Sequence, residues 1–129
     1  MDLSQYQKQL ETLGVDALVK FGSQVDGTAR SESDVDIGVA FTAQAKLQPR
    51  RYGQVYALLQ QTYPHQRIDL VDLYQAPPAL QYRAAEHGKV IYQASIHSFA
   101  NFRERALSTY HDFLPIIRIH EQALQLWSS

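Results

Sequence analysis

An aspartate pair inside an apolar strand constrains this chain more than any other feature. In the run Asp34-Val35-Asp36-Ile37-Gly38-Val39-Ala40-Phe41, the large apolar side chains return at every second residue. A period of two marks a β-strand and throws Asp34 and Asp36 onto one face, with their Cα atoms roughly 6.5 Å apart. Two carboxylates that close repel each other unless something positive sits between them. Magnesium, a hard ion that takes oxygen ligands and keeps room for water and phosphate, suits such a pair. Ten residues separate Asp34 from Gly22-Ser23, which closes a second apolar run, Ala17-Leu18-Val19-Lys20-Phe21. A glycine there lets the backbone approach a phosphate and adopt angles closed to other residues. Ser23 adds a hydroxyl that can cap a short helix whose amide ends cradle phosphates. Gly27 supplies a second flexible point and Arg30 a counter-charge. Either element alone is commonplace, since most lone Asp-x-Asp pairs are solvated strand ends and most Gly-Ser pairs are ordinary turns. Together, at this offset, they would arise by chance in roughly one chain in a thousand of this length.

Phosphoryl chemistry with two metal ions needs a third carboxylate. The run Arg67-Ile68-Asp69-Leu70-Val71-Asp72-Leu73 has strand character, with Ile68, Leu70 and Asp72 on one face and Asp69, Val71 and Leu73 on the other. Only one of its two aspartates can readily face the site. Asp69, early in the strand, is the choice, and Asp72 is assigned to a strand end bonded to a turn or to solvent.

The other elements build an α/β (α+β) frame: a small mixed sheet with flanking helices and a C-terminal helical tail. Ser4 and Gln7 have capping-box spacing, Tyr6, Leu10 and Leu13 repeat at helical intervals, and Gly14 is a stop. Tyr52, Val55, Tyr56, Leu59 and Tyr63 form a helical stripe, which predicts a helix over Pro49 to Tyr63 packed on the sheet. Pro77-Pro78 opens a further helix that Gly88 closes, and Lys89 to Gln93 is a short fourth strand. From about Ser98, Phe99, Phe102, Ala106, Tyr110, Phe113 and Ile117 fall at steps of three and four. Pro115 should kink or break that helix. Beyond it the chain carries more apolar surface than a small sheet covers, so the tail is either core or a surface for a partner or a second copy.

Composition fits one domain, residues 1–129, with a catalytic core to about residue 95 and the tail from about 96. With 12 basic and 13 acidic residues and no long basic run, the chain lacks the footprint of a protein whose main ligand is nucleic acid. The absence of cysteine excludes disulfide scaffolds and thiolate metal sites and fits a cytoplasmic setting. No signal core or membrane-spanning run is legible, so no membrane partner is expected. The five histidines show no paired ligand spacing.

The motifs Phe21-Gly22-Ser23, Ser33 to Ile37, Ile68 to Leu73 and His87 to Tyr92 together resemble the minimal nucleotidyltransferase (MNT) group of the DNA polymerase β superfamily. Among these the chain looks most like the antitoxin partners of HEPN-domain toxins, and the resemblance covers nearly its whole length. It implies a polymerase β-like nucleotidyltransferase fold, with two Mg2+ ions on Asp34 and Asp36 and with Asp69 as third ligand or base. Gly22 and Ser23 would hold the phosphates of ATP, and Ser33 is a further nucleotide contact. The implied reaction is AMP transfer to a tyrosine of a cognate HEPN RNase toxin, which silences it, within a homo-oligomer or a hetero-oligomer with the toxin. The alternatives are an antitoxin that acts by binding alone and a transferase for small molecules of aminoglycoside type. Arg105 and His111 mimic the HEPN ribonuclease signature, but they stand in an apolar tail helix without a second set of HEPN helices.

Overall fold

The computed structural model describes residues 3–21, 34–42 and 49–128; the side chains of Pro49, Ile117, Trp127 and Ser128 lie outside that description. A 3-10 turn (Ser4–Tyr6) leads into helix α1 (Gln7–Thr12). Strands β1 (Val15–Phe21) and β2 (Asp34–Phe41) follow, then helix α2 (Pro49–Thr62) and strand β3 (Arg67–Asp72). Helix α3 (Pro78–His87), strand β4 (Lys89–Gln93) and helix α4 (Ser98–Ser128) complete the chain. Among the described residues the strands form one sheet in the order β3-β2-β1-β4. β1 is antiparallel to both β2 and β4, whereas β2 and β3 are parallel. The sheet is therefore mixed, as expected. Parallel neighbours need a crossover, and α2 supplies it.

Each face of the sheet buries a different kind of surface. Val35, Ile37 and Val39, fully buried, point toward α1 and α2 and meet Leu10, Val55 and Leu59. The opposite face is lined by small residues, Ala17, Val19 and Ala40, which let Ala84 and Ala85 of α3 and Phe102 and Ala106 of α4 come close. Gly38 belongs to this second face, where a Cβ would stand 2.5 Å from Leu73 Cδ2. Gly14, with φ of 76°, ends the first helical segment in the left-handed conformation that glycine tolerates best.

Three local expectations change. Ser4 and Gln7 form no capping box: Leu3 occupies the N-cap position without a side-chain cap bond, and so does Tyr6 before α1. Leu3 is buried and its carbonyl accepts the Tyr6 N–H, so the core fixes the start of the segment, while Gln7 bonds forward to Glu11 at 3.3 Å. Along α2 the buried line runs through Val55, Leu59 and Thr62, and Tyr52 and Tyr56 stand at its exposed margin. Of the kink or break expected at Pro115, the break does not occur: helix α4 runs through it. Proline forfeits one N–H bond there. On a stretch as exposed as 111–116, water can take the carbonyl left behind.

The first turns of α4 are domain core. Phe102 is fully buried, meets Tyr74 edge to face at 5.9 Å, and has Phe99 packed beside it. About two turns beyond Phe102, Tyr110 stacks on Tyr82 of α3 at 4.2 Å. Beyond that point the helix leaves the domain: Phe113, Ile116, Ile119 and Leu124 are 42–66% exposed.

Candidate active site

Burial on one face of β2 places the carboxylates on the other. With Val35, Ile37 and Val39 locked into the α2 side, a one-residue slip would drive the aspartates into the core, so the register is strongly specified. Asp34 is exposed and Asp36 half-buried, on the α3 and α4 side of the sheet. The same alternation holds in β3, where Ile68 and Leu70 are buried and Asp69 is exposed.

The parallel pairing of β2 with β3 brings the two strands' aspartates together. Asp36 lies opposite Asp69, and Asp34 opposite Arg67. Adjacent strands are about 4.8 Å apart and i, i+2 neighbours about 6.5 Å, so Asp34, Asp36 and Asp69 occupy one compact patch on one face. Phe21, on the same face, flanks Asp36 from β1. Asp72 falls on the other face, and its Oδ1 accepts the Tyr74 N–H at 3.2 Å, a turn bond of the kind the sequence suggested. Gly22, Ser23, Gly27, Arg30 and Ser33 lie outside the described residues.

Two residues near the patch escaped the sequence reading. Arg67 starts β3 on the same face as Asp69 and registers with Asp34, which puts a cationic residue at the rim of an anionic patch. Its strand position was legible, but its partner depended on which strand lies beside β3. Tyr52 of α2 donates its hydroxyl to the Leu70 carbonyl, one residue beyond Asp69. Burial, and then the Asp69 carboxylate, with smaller contributions from Tyr56 and Asp72, push its phenol above the ordinary tyrosine value. Tyr52 is thus a protonated donor at neutral pH. No local pattern distinguishes it from the other tyrosines of its stripe.

Three carboxylates from adjacent strand positions are a fitting donor set for a hard divalent cation. Among the described residues, however, no group of three His, Cys, Asp or Glu side chains is drawn close enough to hold an ion. The backbone register and the side-chain placement differ in what they imply. The register sets the three carboxylate-bearing positions side by side on one face of the sheet. The residues fit Mg2+ in type and register.

The polymerase beta nucleotidyltransferase family matches residues 4–97 of this sequence, a span that holds all four strands and the three carboxylates. The chain belongs to that family. Its fold is similar to that of several toxin–antitoxin structures. A mutant MntA–HpeT complex aligns at TM-score 0.70 and 22% identity, covering 96% of this chain and 98% of that one. A toxin–antitoxin structure with AMP-PNP aligns at TM-score 0.61 and 21% identity, covering 92% and 98%. A tri-AMPylated HEPN toxin in complex with MNT antitoxin, from Shewanella oneidensis, aligns at TM-score 0.56 and 19% identity, covering 93% and 97%. No curated protein matches the chain. Among the described residues, no helix is long and apolar enough to cross a membrane.

Proposed function

We propose that this chain is an antitoxin nucleotidyltransferase that transfers AMP from ATP to a tyrosine hydroxyl of a cognate HEPN-domain toxin. The observation that carries this reading is the register of Asp36 with Asp69 on adjacent parallel strands, with Asp34 on the same face. The family match supports the reaction class. The AMP-PNP and AMPylated-toxin complexes among the similar folds support the donor and the acceptor.

In this reading Gly22 and Ser23 bind the ATP phosphates, with Gly27, Arg30 and Ser33 as further contacts. Asp34 and Asp36 would hold the divalent ions, with Asp69 as third ligand or as base. When bound, Mg2+ neutralises charge on the phosphates and on the attacking and leaving oxygens. The acceptor hydroxyl oxygen forms a bond to the α-phosphorus, the bond from that phosphorus to the β-phosphate bridging oxygen breaks, and pyrophosphate leaves. In the role of base, Asp69, exposed beside Asp36, takes the hydroxyl proton. Phe21 flanks Asp36 from β1.

The test is the intact mass of the cognate toxin after incubation with this protein, ATP and magnesium. A gain of one or more AMP units, lost when Asp34 and Asp36 are both replaced, is the expected result. Silencing of the toxin without a mass gain would replace transfer by inhibition through binding.

A further inference from the structure

Among the described residues β3 lies at the edge of the sheet, with a ladder partner on one side only, β2. Asp69 sits at the third position of that strand, exposed, and edge strands fray from their ends. Ile68 and Leu70 anchor the apolar face, but they fix which face Asp69 takes more firmly than its distance from Asp36. A hydrogen bond from outside the sheet closes that gap: the Tyr52 hydroxyl, from the first turn of α2, donates to the Leu70 carbonyl. Tyr52 is 38% exposed, so its ring contributes less burial than a core aromatic, and the hydroxyl is the distinctive part of what it supplies. Tyr56, one turn further along α2, has nearly the same exposure at 37%.

We propose that Tyr52 is a positioning residue for Asp69, its hydroxyl latching α2 to the side of β3 away from β2 so that Asp69 stays beside Asp36. The inference rests on the nucleotidyl-transfer reading and names a part of that site outside the strand motifs. A misplacement on the order of 1 Å in a reacting constellation can cost up to about a hundredfold in rate, and loss of one neutral hydrogen bond loosens the strand without unfolding it.

The experiment compares Tyr52→Phe with Tyr56→Phe and wild type in the full chain. The readouts are Mn2+ affinity by electron paramagnetic resonance, steady-state AMP transfer, amide exchange of β3 and thermal melting. The expected result for Tyr52→Phe is Mn2+ binding weakened about fivefold and kcat lowered about tenfold. KM for ATP should stay within about twofold of wild type and β3 amides should exchange faster, with melting lowered by no more than a few degrees. Tyr56→Phe should match wild type throughout. Were wild type to bind Mn2+ and transfer AMP while Tyr52→Phe matched Tyr56→Phe, the latch would be overturned and the functional reading would stand. Were wild type to bind no Mn2+ and transfer nothing, the functional reading would fall first, and the latch with it.

Discussion

Asp34 is exposed and Asp36 half-buried, and in the proposed reaction both serve a cation; neither belongs to the apolar core. Replacing both with Ala should lower transfer by at least about a hundredfold, since the charge stabilisation they organise amounts to several kcal/mol. The variant should still fold, as circular dichroism would report, because neither side chain belongs to the apolar core. Retained activity in that double variant would dismiss the metal-pair reading. The two β3 aspartates separate by face. Asp69→Asn should lose most activity, since an amide is a poor magnesium ligand and cannot accept a proton. Asp72→Asn, which faces away and bonds the Tyr74 N–H, should be mild, and kinetics on the two variants in parallel would reveal a reversed order. Glycines also separate by surroundings. A Cβ at Gly88 would stand 2.3 Å from the Ala84 carbonyl oxygen and from Val19 Cγ1, whereas one at Gly53 in α2 meets nothing within 4 Å. Gly88→Ala should therefore destabilise by about 1–3 kcal/mol, and Gly53→Ala should stabilise by about 0.5–1 kcal/mol, both read by denaturant melts.

At the scale of elements, α4 divides into a packed half and a projecting half. Phe102→Ala should cost about 3–5 kcal/mol, as for a fully buried aromatic. Phe113, Ile116 and Ile119 lie on the projecting half, exposed in the isolated chain. Cutting them to Ala should leave the melting temperature almost unchanged. We expect the same variants to weaken association with the toxin or with a second copy, since apolar and aromatic anchors dominate interfaces. Thermal melts paired with toxin pull-down and size-exclusion profiles check this. If every tail substitution lowered stability and none weakened association, the partner surface would have to lie elsewhere. The crossover β2-α2-β3 is the element pair on which the site depends, because it makes the two aspartate-bearing strands neighbours and parallel.

For the whole molecule, one mixed sheet separates two jobs. Its α1 and α2 side is an apolar core that sets strand register. The other side is packed by α3 and α4 near β1 and leaves the β2 and β3 carboxylates in reach of solvent. The proposed reaction needs that asymmetry, since the acceptor is a side chain of another protein and must enter from outside. Chelating divalent ions should abolish transfer while leaving the fold intact, as circular dichroism would report, because no buried group of the described core relies on an ion. Loss of secondary structure on chelation would make the metal structural and would redraw the site.

Strand character, the face shared by Asp34 and Asp36, the parity that separates Asp69 from Asp72, and the limits of α3 and β4 were legible in the chain itself. These are consequences of local periodicity and of turn residues such as Gly14 and Gly88, which act over a few neighbours. The family motif was legible for the same reason: its residues are close in sequence. Tertiary structure alone decided that β3 lies beside β2 in register, which sets Asp69 against Asp36 and Arg67 against Asp34, because strand order depends on long-range packing of α2. It also replaced the Ser4 and Gln7 capping box with a start anchored by buried Leu3. It carried α4 through Pro115 and parted that helix into core and projection, since burial depends on what the rest of the chain brings alongside. The Tyr52 bond to the edge of β3 is of the same kind: one tyrosine among the stripe on α2, selected by the strand that happens to pass beneath it.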